Sequence, residues 1–565
     1  MSICVHTLGA GSEVGRSCFL VTIEGISVLI DAGVHMNPSS DSERIPIIPA
    51  GVQISAVVIT HYHLDHVGAL PHLSEVSGAL SSDVEIMMTS PTRTLSPAVC
   101  TDYCRGPNSD LYFPNHAIKC FSSPRIRIVG CGESVSLRDI PEFRLTFLHT
   151  GHVVGGVCVI LEYRERSVVY TGDFSVNPDS LLNPIRIPPN AIPRNGFDVV
   201  ISECTHATTS SPPKELEAVE RRICEAIHRT LARGGKVLVP VFAVGRAQEL
   251  GSMLRRFLGN SVPMFTTSPA SQQASVIIGS LHRQWIRSDV APEHFNMHCL
   301  SESDPFPEKS IVFASPAMLE GGSSLRLFAE MCEDPKNLVL LTGYCNKGTI
   351  GNSVILLASR PGTKERTFSI MNQKREIRCE CLYVPFSNHT DSNGIVKVLR
   401  QLRPRAGLLL VHGQREKIER FRDRVRKEGV VSPEVDIVIP RNYEIHSFNP
   451  ETIRDLKDGH SRCRVKKTLT CLGLADVEAF VTAQNLESEY LDDGRLMLRD
   501  SRCQVIVYSS GNDIVCEYEG HTEMGPEWLT FNPIVNALRH LKRSDDHKGI
   551  PIQEFDRISV SECSD

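Results

Sequence analysis

The chain has 565 residues, a length that predicts two or three domains. Of these residues 41% are hydrophobic and 22% are charged, which is the composition of a folded protein. Its formal net charge of −6 argues against a protein that binds nucleic acid through a positive charge spread over its whole surface. We find no apolar stretch of the roughly 20 residues that span a bilayer and no secretory signal, so we expect an intracellular protein without a membrane partner. The 19 cysteines lack the paired spacing of a zinc–thiolate site and are interpreted as reduced, mostly buried thiols.

The first two hundred residues contain short β-branched runs separated by turns, a pattern typical of strands. The predicted strands are Ile3–Leu8, Cys18–Ile23, Ile26–Ile30, Ala56–Thr60, Phe143–Leu148, Ser167–Thr171 and Asp198–Ser202. Many strands with few long helices predict a sheet-rich first domain.

The middle of the chain has a different pattern. Apolar residues recur at helical spacing from Pro213 to Arg233, and Gly234 favours the end of that helix. A strand at Lys236–Pro240, a second helix from Gly245 and further strands near 311 and 338 follow. This alternation indicates an α/β unit.

Short strands return at Gly407–Val411 and Val435–Pro440, and a more polar tail begins near Glu451. Within the tail, alternating runs at Gln504–Tyr508 and Ile514–Tyr518 predict a small sheet. The basic stretch at 462–467 is interpreted as an exposed face, with a nuclear-import signal as the alternative.

A cluster of polar ligands follows the apolar run at 56–59. His61, His63, Asp65 and His66 lie within six residues in the pattern HxHxDH. Zinc takes imidazole nitrogen and carboxylate oxygen, and a loop after a strand can direct neighbouring side chains at two ions. The alternative is a histidine-rich surface loop, which the specificity of the pattern disfavours.

Two further polar residues follow predicted strands. His152 lies in Thr-Gly-His after one strand, and Asp173 lies in Thr-Gly-Asp after another. Alone, a single histidine is more often structural, and an aspartate beside glycine is more often a turn residue. Their order and their positions at strand ends favour a metal site.

The order HxHxDH, Gly-His and Thr-Gly-Asp resembles the metallo-β-lactamase superfamily. The resemblance implies that Asp31 is not a metal ligand but stabilises the loop that carries the ligands. The glycines at 9–15 with the acid at Asp31 also imitate a dinucleotide-binding fingerprint. That interpretation fails because the third glycine is one place late and a strand, not a helix, follows it.

About 240 residues separate Asp173 from the last histidine motif, Val-His-Gly at His412. This insertion resembles the β-CASP cassette of nucleic-acid-processing members. Its matching motifs contain Glu203, His389 and His412. Histidine at the third motif resembles the RNA-processing branch, because DNA-repair members typically have an apolar residue there.

Within that branch the chain resembles the endonuclease subunits of the Integrator and the cleavage-and-polyadenylation complexes over roughly residues 3–445. The stretches that carry this likeness are 8–16, 68–71, 240–249, 314–319 and 343–345, and those that favour the Integrator version are 34–36, 207–209 and 348–351. The chain departs from the pattern at His206, where an aromatic is usual, at Asn388, where a small residue is usual, and over Pro263–His298.

The resemblance implies two zinc ions as cofactors. The implied ligands are His61, His63 and His152 for one ion, Asp65, His66 and His412 for the other, and Asp173 as the bridge. It also implies His389 as the general acid, oriented by Glu203, and a water-derived hydroxide as the nucleophile. Arg246 and Lys347 are candidate contacts to RNA phosphates, with solvated surface charges as the equal alternative.

The predicted fold is α/β, a metallo-β-lactamase αββα sandwich with an inserted β-CASP α/β domain and a small α+β C-terminal domain. The predicted boundaries are 1–205 and 385–450 for the lactamase domain, 206–384 for β-CASP and 451–565 for the C-terminal domain. The resemblance implies that this last region pairs with a catalytically inactive paralogous subunit, with further scaffold subunits, in the nucleus.

The predicted activity is zinc-dependent RNA endonucleolysis in processing of nascent or small nuclear RNA. Alternatives within the family are the polyadenylation endonuclease and a non-catalytic scaffold paralogue, which the complete ligand set disfavours. A small-molecule hydrolase is disfavoured because a small substrate needs no second domain over the cleft.

Overall fold

The computed structural model describes residues 3–449, except positions 37, 39, 105–109, 178–180, 211–214, 282–284, 302, 344, 361, 364–365 and 386–387, and only six strands beyond 449. The chain divides into two compact units, Val5–Asn442, and residues 1–4 with Tyr443–Asp565. Among the described residues, no helix has the length and apolar character needed to cross a membrane.

The first sheet of the larger unit runs in chain order from β1 to β6. Its strands are β1 (Ile3–Gly9), β2 (Cys18–Ile23), β3 (Ile26–Ile30), β4 (Ile54–Val58), β5 (Glu85–Met88) and β6 (Ile126–Ile128). The helices here are α1 (Leu64–Val67), α2 (Leu70–Glu75), α3 (Ser90–Tyr103) and α4 (Pro114–Ser122). β3, β4, β5 and β6 are parallel, so the carboxyl ends of β3 and β4 lie at one edge, where the HxHxDH loop begins.

The second sheet begins with an antiparallel meander. Its strands are β7 (Ser134–Ser136), β8 (Phe143–His149), β9 (Val157–Tyr163), β10 (Arg166–Tyr170) and β11 (Val199–Glu203). β11 is parallel to β10, which brings the ends of these two strands together. The sheets touch through Phe19 and Tyr170, whose rings lie 5.1 Å apart, and both side chains are buried.

The insertion after β11 forms a parallel sheet in the order β14-β13-β15-β12-β16-β19 and a two-stranded hairpin, β17-β18. The strands are β12 (Val237–Pro240), β13 (Met264–Thr266), β14 (His298–Cys299), β15 (Ile311–Ala314), β16 (Leu338–Leu341), β17 (Thr367–Ile370), β18 (Gln373–Glu376) and β19 (Glu380–Tyr383). The helices are α5 (Glu215–Ala232), α6 (Arg246–Leu258), α7 (Pro269–Ser280), α8 (Gly322–Met331) and α9 (Ile350–Ser359).

Alternation along β12 explains why helices cover both faces of this sheet. Val237 and Val239 pack with α5 and α6, whereas Leu238 packs with α8 and α9. A strand that is buried on both faces needs apolar side chains at every position, and β12 has the sequence Val-Leu-Val-Pro.

After the insertion the chain returns to the second sheet through α10 (Ser392–Leu402), β20 (Gly407–Val411), α11 (Arg415–Lys427) and β21 (Asp436–Val438). β20 pairs in parallel with β11, and this register places Val411 opposite Glu203. Ile395 of α10 and Phe421 of α11 are buried in the core that covers this sheet. The pairing therefore brings the third motif beside the first, although the insertion separates them in sequence.

The smaller unit contains β22 (Ile445–Phe448) and a sheet in the order β24-β25-β26-β27-β23-β28. Its strands are β23 (Arg462–Thr470), β24 (Glu487–Tyr490), β25 (Leu496–Arg499), β26 (Gln504–Ser510), β27 (Asp513–His521) and β28 (Ile558–Glu562). The two strands predicted in the tail are thus present, and the basic stretch at 462–467 lies in β23.

The predicted αββα sandwich with a parallel α/β insertion is confirmed, and all seven strands predicted in the first two hundred residues occur with ends shifted by at most two residues. The expectation of few long helices there also agrees with the structure, in which α3, with 14 residues, is the longest helix described in this region. Its start is stabilised by Thr89, whose side chain accepts a hydrogen bond from the Thr92 amide. Pro97 lies inside this helix, and because proline usually ends or kinks a helix, the sequence did not predict one there.

Candidate metal centre

The loop after β4 is anchored by a buried carboxylate behind it. Asp31 accepts hydrogen bonds from the Thr60 amide at 2.8 Å and from the Thr60 hydroxyl. Its Oδ2 also lies 2.8 Å from Nδ1 of His66, so the Nε2 atom of His66 is the one that points toward the site. Asp31 has a left-handed backbone, with φ +63°, which turns the chain at the end of β3.

Asp173 lies at the centre of the site, after the end of β10, with only 2% of its surface exposed. Imidazole nitrogens of five histidines lie 3.3–3.9 Å from its carboxylate, namely His61, His66, His152, His389 and His412. Although burial opposes ionisation, the nearby His412 and His66 lower the pKa of Asp173. The carboxylate is therefore anionic, and imidazoles from separate motifs surround it.

Three histidines form what we call the three-histidine half, and their donor atoms lie within 4.8 Å of one another: His61, His63 and His152. Nε2 of His152 lies 3.1 Å from Nδ1 of His63, while its Nδ1 lies 3.1 Å from the Asn388 carbonyl oxygen. Burial lowers the pKa of His61 and His152, and that of His63 to about 4. Neutral imidazoles are the form that binds a metal.

The opposite side, which we call the Asp65 half, combines Asp65, His66 and His412. Nε2 of His412 lies 3.3 Å from Oδ2 of Asp65. Burial opposes the charged form of both imidazoles, but Asp173 outweighs it and raises the pKa of His412, and Asp173 with Asp31 raises that of His66. His412 has φ +55°, and its amide donates to the Ala10 carbonyl at 2.7 Å, which fixes the turn after β20.

The residues fit resident metal ions. Nε2 of His61 and Oδ1 of Asp173 are buried and have no hydrogen-bond partner among the described residues. Unpaired polar atoms of this kind are costly to bury, and a cation between them removes that cost. Imidazole nitrogen with carboxylate oxygen is the donor set that zinc prefers.

A second pair lies beside Asp173. Glu203, at the end of β11, accepts hydrogen bonds from the Phe174 amide and the Thr205 hydroxyl, both at 2.7 Å. Its Oε2 lies 2.9 Å from Nδ1 of His389, so Nε2 of His389 faces the site. Burial lowers the pKa of His389, but Glu203 and Asp173 outweigh it and raise it to about 9.

The two candidate phosphate contacts differ in their surroundings. Nη1 of Arg246, at the start of α6, lies 2.6 Å from Oε2 of Glu249 and 3.4 Å from Oδ1 of Asn388. Lys347 is exposed in a turn after β16. The Asn388 amide also donates to the His152 carbonyl at 3.2 Å, so a single side chain, that of Asn388, connects Arg246 to the candidate ligand His152.

Sequence reasoning missed three supporting residues. Thr60 binds Asp31 through both its amide and its hydroxyl, Thr205 lies 2.9 Å from Nδ1 of His412, and Asn388 joins Arg246 to His152. Thr60 and Asn388 are each adjacent to a motif histidine, which was the available signal. Nothing in their spacing indicates the partner that each one binds.

Buried imidazole and carboxylate ligands at the strand ends of a two-sheet sandwich are the arrangement of metallo-hydrolases with the metallo-β-lactamase fold. The sequence matches the Metallo-beta-lactamase superfamily over residues 11–81, the Beta-Casp domain over 247–354 and the Zn-dependent metallo-hydrolase RNA specificity domain over 374–440. The insertion between β11 and β20 contains the whole Beta-Casp match.

Two curated relatives extend the likeness to most of the chain. Integrator complex subunit 11 of Danio rerio is 32% identical over 455 residues, which cover 76% of this chain and 72% of that protein. Cleavage and polyadenylation specificity factor subunit 3-II of Arabidopsis thaliana is 32% identical over 476 residues, 80% of this chain and 73% of that protein. The chain therefore belongs to the metallo-β-lactamase/β-CASP family of metal-dependent endoribonucleases that includes these relatives.

A solved structure shows the same fold at low sequence identity. It is a protein of unknown function from Enterococcus faecalis V583, with a TM-score of 0.50 and 11% identity, covering 79% of this chain and 100% of that one. At this identity the match concerns the fold alone.

Proposed function

We propose that this protein hydrolyses phosphodiester bonds in RNA with two zinc ions. The three-histidine half would hold one ion, the Asp65 half the other, and Asp173 would bridge them. The observation that carries the proposal is the position of the Asp173 carboxylate, which has imidazoles of both halves within 4 Å and one oxygen without a hydrogen-bond partner among the described residues.

Zinc ions, when bound, lower the pKa of a coordinated water toward 7 and neutralise charge on the scissile phosphate. His389 is proposed as the general acid for the departing ribose oxygen. Glu203 holds Nδ1 of His389, which leaves the Nε2 proton directed at the site. The carboxylates that raise the pKa of His389 keep that proton in place at neutral pH.

We infer that the substrate is a nascent or small nuclear RNA and that the protein acts in the nucleus as part of a multisubunit assembly. The names of the relatives support this, since one is a subunit of the Integrator complex and another a cleavage and polyadenylation factor. The match at 374–440 to an RNA specificity domain supports RNA as the substrate.

We also propose the domain limits given above, 1–205 with 385–450, 206–384 and 451–565. Residues 451–565 would bind a catalytically inactive paralogous subunit, with further scaffold subunits around it. The partner is tested by purifying this protein from nuclear extract and identifying the proteins that come with it, either Integrator or polyadenylation subunits. The chain truncated at 450 is the control.

The experiment that tests the proposed activity joins metal analysis to RNA cleavage. Zinc bound per chain is measured by mass spectrometry, and cleavage of a labelled RNA is followed with and without co-expressed partners. Two zinc ions and cleavage that a chelator abolishes are expected. A metal-free chain that cuts RNA at the same rate would contradict the proposal.

A further inference from the structure

The region that contains α10 and α11 has a charge opposite to that of the whole protein. From 392 to 427 there are eleven lysines and arginines and three acidic residues, an excess of eight positive charges in a chain whose formal net charge is −6. Such local excess is what attracts polyanions to a protein that is acidic overall.

Several of the positive side chains on α11 are already neutralised. Arg415 pairs with Glu419, Arg422 with Asp423, and Arg424 with Glu428. These pairs leave less positive charge available to a ligand.

Lys417 and Arg420 differ from them. Both are exposed, and neither forms an ion pair with a described residue. They are three positions apart on α11, so they present their charges on one face of the helix.

The matching face of α10 adjoins this one. Arg424, on the turn of α11 that follows these two residues, donates hydrogen bonds to Ser392 at 2.9 Å and Asn393 at 2.7 Å. Lys397 and Arg400 follow Asn393 at helical spacing and are exposed. The two helices therefore carry exposed positive charges on neighbouring faces.

We call these four exposed cations the basic strip: Lys397, Arg400, Lys417 and Arg420. Arg400 lies 3.9 Å from Glu428, a long contact between two exposed side chains that leaves most of its charge accessible. The charge of the strip is therefore strongest on α11.

The strip begins beside the metal centre. α11 starts three residues after His412, and the charge of Lys417 reaches His206, where it adds to burial and His389 in lowering the pKa of that imidazole. His206 in turn packs edge-on against His389, with ring centroids 5.8 Å apart. The candidate general acid thus packs against an imidazole that lies within electrostatic reach of Lys417, the first charge of the strip.

We propose that the basic strip binds the backbone phosphates of the RNA strand that leaves the metal centre. This inference rests on the proposed function and adds the path of the substrate outside the site. Exposed lysine and arginine side chains such as Lys417 and Arg420 bind phosphates at little desolvation cost, and they carry no base specificity. A helix of 13 residues extends about 20 Å, long enough for several nucleotides.

The test is the salt dependence of RNA binding by the double variant Lys417→Ala/Arg420→Ala. Binding of a single-stranded RNA is measured by fluorescence anisotropy on the full chain in the His389→Ala background, so that the RNA stays intact. The slope of log affinity against log salt should fall by about 0.7 for each phosphate that the variant no longer binds. Affinity at low salt should fall several-fold.

The matched control is Arg221→Ala/Arg222→Ala on α5, which also removes two exposed positive charges and should leave the slope unchanged. With His389 intact, the strip variant should keep its turnover on an RNA of a few nucleotides and lose activity on long RNA. An unchanged slope in a protein that cleaves RNA would overturn the basic strip alone, as would equal losses in both double variants. A protein that neither binds nor cuts RNA would overturn the proposed function as well.

Discussion

The two halves of the metal centre are prepared for metal in opposite ways. In the three-histidine half, imidazoles are buried against one another, and burial keeps the pKa of His63 near 4. In the Asp65 half, carboxylates outweigh burial and raise the pKa of His66 and His412. Burial therefore favours neutral nitrogens in one half, whereas in the other half the carboxylates favour the protonated imidazoles, and a metal ion must compete with those protons.

This difference indicates that the halves should be separable by mutation and by pH. A bound ion in the three-histidine half competes with few protons at neutral pH. In the Asp65 half, the same Asp31 contact that holds His66 also stabilises its protonated form. The following predictions test this contrast.

The largest effect is expected for Asp65→Ala/His66→Ala. Loss of two ligands should remove the zinc of the Asp65 half and abolish RNA cleavage, while one zinc per chain and the circular dichroism spectrum are retained. His61→Ala/His63→Ala is the matched variant for the other half and should also keep one zinc. If either variant lost both ions or neither, the halves would not be independent sites.

For His389→Ala we expect turnover to fall by about 10²–10⁴, the usual contribution of a general acid. Zinc content should stay at the wild-type value, because His389 is not among the proposed ligands. Single-turnover cleavage and metal analysis of the same preparation give both numbers. Loss of zinc would make His389 a ligand, which its 3.8 Å distance from Asp173 makes a real alternative.

Asp31→Asn should weaken zinc binding by about 10–100-fold in the Asp65 half, and less in the three-histidine half, whose loop Asp31 contacts only through Thr60. The neutral amide stabilises the proton on Nδ1 of His66 less than the carboxylate does, so the nitrogen that faces the site becomes a poorer ligand. Competition with a chromophoric chelator measures the two affinities separately. Equal weakening of both ions would argue against the contact between Asp31 and His66 as the cause.

The pH dependence of zinc affinity should also differ between the halves. Because the pKa of His66 and that of His412 are raised, protons compete with zinc for these ligands up to a higher pH, and each proton displaced weakens binding by about tenfold for every pH unit lowered. The lowered pKa of His61, His63 and His152 predicts little change for the other half between pH 8 and 6. Chelator competition across that range would contradict the contrast if both affinities changed in parallel.

The sequence predicted best those site residues that lie close together in the chain. His61, His63, Asp65 and His66 form one motif, so they were visible without any fold. His152 and Asp173 were ambiguous alone and needed the order of the motifs, and His412 needed the family resemblance, because only the pairing of β20 with β11 brings it back.

The supporting contacts were beyond the reach of the sequence for a physical reason. The hydroxyl of Thr205 contacts Glu203 and His412, and which threonine does so depends on the register of two strands that are about 200 residues apart in sequence. The seven predicted strands were recognised because they are largely buried and rich in β-branched residues, but β5, β6, β7 and β9 were not predicted. α3 was missed because proline and a weak apolar pattern hid it.

Anomalous diffraction at the zinc absorption edge, from crystals of the zinc-loaded protein, tests the central claim most directly. Two peaks on either side of the Asp173 carboxylate are predicted, one beside His63 and one beside Asp65. A single peak, or peaks away from Asp173, in a preparation that cuts RNA would contradict it.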